Sequence, residues 1–113
     1  MTPRVWKVAF GVACVVHLAA LYAPRAAGSD VGIPYADKVV HLLLFAVVAY
    51  LGPRAGVPAR PLFAVLIVNA VVSEVIQHVA LPQRGGDVLD TVADLAGVAL
   101  GAWIVSARRV GRT

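Results

Sequence analysis

The stretch RGGDVLDTVADLAGVALGAWIV, residues 84–105, decides the fold, because it is an apolar helical run that begins with acidic side chains. Projected at about 100° per residue, Asp87, Asp90 and Asp94 fall on one side of the helix. A carboxylate inside a bilayer is costly unless it is protonated or paired. The stretch therefore predicts a transmembrane helix whose acidic end is packed against neighbouring helices.

Gly97 and Gly101 continue the same side of this helix. They have the small-xxx-small spacing that lets transmembrane backbones approach closely. This spacing alone is common by chance in apolar sequence, so the informative feature is its alignment with the aspartates. We expect the glycines to bring the acidic end of the helix against its neighbours.

Three further apolar blocks precede this one, separated by short polar segments. The 113 residues are 60% hydrophobic and 14% charged, and the mean hydropathy of +0.84 is not typical of a soluble domain. The sequence predicts an all-α integral membrane bundle of about four short transmembrane helices, in a single domain over residues 1–113. The predicted spans are approximately 5–23, 36–52, 61–81 and 90–107.

The first block also resembles a secretory signal peptide, since Arg4 and Lys7 precede it. No clear small-residue cleavage site follows before Arg25, so we predict a retained span, with cleavage as the alternative.

The charges predict the orientation in the cell membrane. One side receives Arg4, Lys7, Arg54, Arg60, Arg108, Arg109 and Arg112, and the other receives Arg25, Lys38 and Arg84 together with Asp30, Asp37, Asp87 and Asp90. Because cytoplasmic segments are rich in Lys and Arg, both termini are predicted to be cytoplasmic. The basic residues are scattered and form no stripe with interleaved aromatics, so the predicted partner is the lipid bilayer and not nucleic acid.

Polar residues at membrane depth predict a site on the outer side. Glu74 is the deepest carboxyl, Gln77 shares its face, and Asn69, Ser73 and Gln77 form an adjoining polar strip. On the second block, Asp37 and His41 are four residues apart and project toward the same neighbour. We predict one ligand-binding or functional cluster, consisting of Asp37, Lys38, His41, Glu74, Gln77, Arg84, Asp87, Asp90 and Asp94.

The motifs in this cluster resemble those of the VanZ-like family of bacterial membrane proteins. The matching pieces, in order, are DKVVH at 37–41 with Phe45, EVIQ at 74–77, and RGGDVLD at 84–90 followed by Asp94, Gly97 and Gly101. The resemblance implies a cell-envelope protein with several spans and a link to resistance toward the glycopeptide teicoplanin, but no established reaction. Asp94 departs from the pattern, since many members carry Asn there, and it adds a carboxyl to the cluster.

Several functions fit this pattern. The cluster either fastens the helices together or binds a polar headgroup or phosphate of a lipid-linked cell-wall precursor, held by Arg84 and Lys38. The alternatives are a proton-linked small carrier or accessory subunit that oligomerises, with Glu74 or Asp94 changing protonation, and a membrane-embedded hydrolase with Glu74 and His78 as acid and base.

Signatures of the common enzyme classes are absent from the sequence, so no catalytic residue and no cofactor is predicted. The His and carboxyl residues lack the spacing of a zinc site, and the lone Cys14 excludes an intramolecular disulfide. We expect His17 to have an interfacial or helix-packing role, and Trp6 and Trp103 to act as interfacial anchors.

Overall fold

The structure is a computed structural model, and it describes residues 2–22, 36–80 and 88–111. It contains four helices, α1 (Pro3–Tyr22), α2 (Ala36–Arg54), α3 (Ala59–Val79) and α4 (Val88–Gly111). Each helix is long and apolar enough to span a membrane. The predicted all-α fold with four candidate spans is thereby confirmed.

Large apolar side chains cover the outside of the four helices. Val15, Val65 and Trp103 are 68%, 65% and 67% exposed, respectively. A monomeric soluble protein rarely carries an apolar surface of this extent, whereas lipid solvates it readily. The helices satisfy their backbone hydrogen bonds internally, as a lipid environment requires. The outer surface therefore fits a lipid bilayer.

Neighbouring helices along the chain run in opposite directions, so α2 and α4 are parallel. At one end of the bundle, Lys38 of α2 contacts Asp90 of α4 with an Nζ to Oδ1 distance of 2.7 Å. At the other end, Tyr50 of α2 lies below the Arg108 guanidinium of α4, whose Cζ is 5.6 Å from the ring centroid. We call the end with Lys38 and Asp90 the acidic end and the end with Arg108 the basic end.

The parallel pair α2 and α4 forms the closest helix contact in the bundle. A Cβ atom placed on Gly97 would overlap the carbonyl oxygen of Leu42, and one on Gly101 would lie 2.6 Å from the Ala49 Cβ. Both distances are too short for a side chain. The glycine spacing seen in the sequence thus lies at a helix interface, where absent side chains let the backbones touch. Packed beside it is a core that includes Leu21, Phe45, Val48, Ala49, Leu66 and Ala70.

Helix α2 continues to Arg54, beyond the predicted bound at residue 52. Gly56 has a φ of 94°, its N–H donates to the Pro53 carbonyl (3.1 Å), and the Val57 N–H donates to the Gly52 carbonyl (2.9 Å). This pair of bonds is the Schellman motif, which ends a helix at a glycine in the left-handed region. The glycine that terminates the helix is therefore Gly56, while Gly52 and Pro53 lie inside its last turn.

The other helix ends also differ slightly from the predicted spans. Helix α3 begins at Ala59, so Pro61 lies in its first turn, where a missing N–H costs little. Helix α4 begins at Val88 and extends to Gly111. The predicted spans followed apolar residues only, whereas these helices continue into their charged flanks.

We expect Gly97→Ala to destabilise the bundle by about 1–3 kcal/mol, because the new methyl group must push α4 away from the α2 backbone. The control is Gly11→Ala, since a Cβ on Gly11 meets nothing within 4 Å. Unfolding of the two variants in detergent, followed by circular dichroism, measures the difference. Equal stability of the two variants would contradict the proposed backbone contact.

Candidate functional site

Among the described residues, five ionisable side chains meet between the first two turns of α2 and α4. We call these residues, Asp37, Lys38, His41, Asp90 and Asp94, the α2–α4 cluster. Lys38 is at its centre, because its Nζ atom lies 2.8 Å from Asp37 Oδ2 and 2.7 Å from Asp90 Oδ1. The cluster therefore joins adjacent residues of α2 to α4 through one ammonium group.

His41 and Asp94 form the innermost contact of the cluster. The His41 Nδ1 atom is 2.7 Å from Asp94 Oδ1, and its Nε2 atom is 3.8 Å from Asp90 Oδ2. One proton between Nδ1 and Oδ1 suffices to make the shorter contact a hydrogen bond. Each ring nitrogen thus faces a carboxylate of α4, and the carboxyl of Asp94 has the partner that its depth requires.

Burial increases steadily through the cluster. The side chain of Asp37 is 41% exposed, that of Lys38 is 19% exposed, and that of Asp94 is 1% exposed. The cluster is therefore open at the helix ends and closed toward the middle of the bundle.

The helix ends themselves give the cluster a structural role. Asp37 and Asp90 lie in the first turns of α2 and α4, respectively. A carboxylate there interacts favourably with the positive end of the helix dipole, typically by about 0.3–1 kcal/mol. Because α2 and α4 are parallel, these two ends lie side by side, and Lys38 offsets the repulsion between the two carboxylates.

A second polar group connects α1 to α2 and α3. We call His17, Tyr22 and Asn69 the interior network. The Tyr22 hydroxyl donates to Asn69 Oδ1 (2.5 Å), Asn69 Nδ2 contacts His17 Nε2 (2.9 Å), and His17 Nδ1 contacts the Leu44 carbonyl (3.2 Å). Since a carbonyl only accepts, Nδ1 carries the proton, and Nε2 accepts from the Asn69 amide. The network leaves the imidazole neutral and fully hydrogen-bonded.

The interior network gives His17 the helix-packing position expected for it. Its side chain is almost fully buried, and its ring meets Phe45 edge-on at a centroid distance of 4.4 Å. Sequence reasoning recognised Asn69 as part of a polar strip, but it did not connect the strip to α1. The sequence does contain a signal for this connection, because His17 and Tyr22 lie on one helix and Asn69 lies at a similar depth on another.

The α3 residues predicted for the cluster have other surroundings. Gln77 is buried and donates from Nε2 to the Leu21 carbonyl of α1 (2.8 Å). Glu74 is half-buried and has an interaction partner, and His78 is exposed. Arg84 and Asp87 lie outside the described residues. The structure thus brings together the predicted residues of α2 and α4, and joins Gln77 of α3 to α1.

Carboxylates and imidazoles are also common ligands of metal ions. Among residues 2–22, 36–80 and 88–111, no group of three or more His, Cys, Asp or Glu side chains is arranged to hold a metal ion. The chemistry that the cluster offers is that of ion pairing, hydrogen bonding and proton exchange.

We expect His41 and Asp94 to show a coupling free energy of about 1–2 kcal/mol in a double-mutant cycle built from His41→Ala and Asp94→Ala, as for a hydrogen bond to a charged group. The matched cycle replaces the exposed His78 with Ala instead of His41, and its coupling to Asp94→Ala should be near zero. Unfolding in detergent measures all variants. Equal coupling in the two cycles would show that the 2.7 Å contact does not stabilise the bundle.

Comparison with known proteins gives no relative for this chain. No protein-family model matches the sequence, and no curated protein and no solved structure matches it significantly. The resemblance to VanZ-like proteins therefore rests on the motifs quoted above.

Proposed function

We propose that this chain is a VanZ-like membrane protein of the bacterial cell envelope that binds the anionic headgroup of a lipid-linked molecule at the α2–α4 cluster and lowers susceptibility to teicoplanin. The observation that carries the binding proposal is the gradient of exposure from Asp37, at 41%, to Asp94, at 1%. A site of this form opens where lipid headgroups lie. The link to teicoplanin is supported by the motif resemblance alone.

Lys38 is the residue that we assign to the headgroup, because among the described residues it is the cation at the opening of the cluster. The two carboxylates that it contacts among the described residues differ, since the Asp90 side chain is only 6% exposed whereas that of Asp37 is 41% exposed. An exposed side chain rearranges more easily than a buried one. In this proposal a phosphate oxygen replaces Asp37 beside Lys38, while Asp90 keeps the ammonium group in place.

Two helix N-termini strengthen the attraction for an anion. Helices α2 and α4 begin at Ala36 and Val88, so the positive ends of two helix dipoles lie at the cluster. Arg84 precedes α4 closely in the sequence and supplies a second cation in this proposal. The deeper His41 and Asp94 pair supports the site by presenting the imidazole to Asp90.

We expect Lys38→Gln to lower the retention of a polyprenyl phosphate about tenfold, because a charge-assisted hydrogen bond to the phosphate is lost. Purified protein is incubated with phosphatidylcholine vesicles that contain the polyprenyl phosphate, and bound lipid is counted by native mass spectrometry. Lys7→Gln, the same change at an exposed residue near the basic end, is the control. Lys38→Arg should retain binding, which separates loss of the charge from loss of the fold.

Two outcomes contradict the proposal. If the Lys38→Gln variant retains as much polyprenyl phosphate as the Lys7→Gln variant, Lys38 does not bind the headgroup. Teicoplanin susceptibility that is unchanged by deletion of the gene and by Lys38→Gln removes the role in resistance, whatever the lipid measurement shows.

A proton-linked small carrier or accessory subunit is the second candidate function, and the His41 contacts favour it. The ring bridges Asp94, at 2.7 Å, and Asp90, at 3.8 Å, so a proton taken up at one carboxylate is relayed to the other through the imidazole. Lys38 and Asp37 continue this path to the opening. Ionisable residues inside membrane proteins commonly mark such proton pathways.

For a proton-linked carrier, we expect proteoliposomes under a pH gradient to show a proton flux that Asp94→Asn reduces to the level of empty liposomes. The amide keeps the shape of the side chain but cannot exchange the proton. Asp37→Asn, at the exposed margin of the cluster, should reduce the flux much less. A wild-type flux equal to that of empty liposomes would exclude this function.

A further inference from the structure

The basic end of the bundle carries a pair of arginines stacked on aromatic rings. The Arg54 guanidinium carbon lies 4.5 Å from the centroid of the Trp6 ring and 5.5 Å from that of Tyr50, and the Arg108 carbon lies 5.6 Å from the same Tyr50 ring. Trp6 and Tyr50 also contact each other edge-on, with centroids 6.3 Å apart. Two positive charges, one on α2 and one on α4, thus lie beside the ring of Tyr50.

The chain offers these arginines no carboxylate in the part that the structure describes. All six acidic residues of the sequence fall between Asp30 and Asp94, and those described lie on the acidic half of the bundle. The Nε atom of Arg54 is buried and, within the described residues, has no hydrogen-bond partner. Ring stacking attracts a guanidinium but does not satisfy its N–H donors. The Nε atom is closed to solvent, but an oxygen-bearing anion from outside the chain would supply acceptors for the terminal N–H groups of the guanidinium.

An apolar groove of about 570 Å³ lies between α1 and α2 on the outside of the bundle. Small and branched side chains line it, among them Ala9, Ala13 and Val16 of α1 and Val40, Val47 and Leu51 of α2. Its volume is within the range of about 300–1,000 Å³ that is typical of sites for small organic ligands. From Val40 to Leu51 the groove extends about 16 Å along α2, which is close to half of the roughly 30 Å hydrocarbon core.

The groove ends at the stacked arginine. Arg54 is three residues beyond Leu51 and seven beyond Val47, and Trp6 is three residues before Ala9. These spacings place residues on one helix face. The arginine with the unpartnered Nε therefore stands at the head of an apolar channel whose length matches one lipid leaflet.

We propose that the basic end binds one anionic phospholipid, with its phosphate on Arg54 and Arg108 and an acyl chain in the groove between α1 and α2. Charge complementarity selects an anionic headgroup over a zwitterionic one, because the described residues place no acid near the arginine pair. Arg54 donates from its two terminal nitrogens to the phosphate, in the two-pronged manner in which guanidinium groups bind phosphates. This site is independent of the α2–α4 cluster, which lies at the opposite end.

The test counts lipids that remain on the full chain after transfer from vesicles of equal parts phosphatidylglycerol and phosphatidylcholine into mild detergent. Native mass spectrometry of the wild type should show one retained phosphatidylglycerol per chain. Arg54→Gln should reduce this retention about tenfold, as expected for loss of a charge-assisted hydrogen bond. Arg60→Gln, the same change at an exposed arginine in the first turn of α3, should leave it unchanged.

Further variants separate the groove from the charge. Ala13→Phe fills the groove without altering an arginine, and it should also reduce retention. Arg54→Lys keeps the charge but loses the fork, and it should retain an intermediate amount, which shows that the effect is not one of misfolding. Lys38→Gln should keep full retention, so failure of the headgroup proposal for the α2–α4 cluster does not affect this result.

Each of four results would overturn the lipid site. The first is equal retention in Arg54→Gln and Arg60→Gln, and the second is equal retention of the two phospholipids. The third is release of the lipid by excess inorganic phosphate, which would mean that the arginines bind free phosphate. The fourth is a dimer in the wild type that Ala13→Phe dissociates, which would mean that a second copy of the chain occupies the groove.

Discussion

The contact of the α4 backbone with the α2 backbone at Gly97 and Gly101 determines the arrangement of the remaining polar groups. Because these glycines have no side chain, the parallel helices α2 and α4 lie close together. One turn closer to the acidic end, the short aspartate side chains of α4 can therefore reach residues of α2. Asp94 is three residues before Gly97, and Asp90 is one turn before Asp94. The 2.7 Å contacts of these aspartates with His41 and Lys38 are therefore a consequence of helix proximity. Larger side chains at positions 97 and 101 would separate α4 from α2 and leave the carboxylates of α4 without these partners.

Much of the α2–α4 arrangement was predictable because its signals are local. Asp90, Asp94, Gly97 and Gly101 share one face of a single helix, and any neighbour that accepts the glycines also receives the aspartates. The spacing of Asp37 and His41 on α2 gives that neighbour a matching polar face. Helical periodicity states which residues share a face, and here that information was sufficient to assemble most of the cluster.

The surroundings of α3 could not be predicted in the same way. Periodicity shows that Asn69, Ser73 and Gln77 share a face, but it does not identify the helix that this face meets. In the structure that helix is α1, through Tyr22 and the carbonyl of Leu21. Backbone carbonyls carry no sequence signal, so a bond such as that from Gln77 to Leu21 becomes visible only when the helices are placed. The end of α2 was also difficult to predict. Gly52 and Pro53 are strong signals for the end of a helix, but the residue that ends α2 is Gly56.

The parallel pairing of α2 with α4 has a consequence for biogenesis. The short connection closed by Gly56 makes α2 and α3 a helical hairpin that can enter the bilayer as one unit, before α4 has left the ribosome. During that interval Lys38 and His41 lack the aspartates of α4. Lys38 can keep its contact with Asp37 of the same helix, whereas the contact of His41 with Asp94 forms only when the last span has packed. A chain truncated before Val88 would lack the α4 surface that covers His41, so the imidazole would have to find another partner within the bilayer.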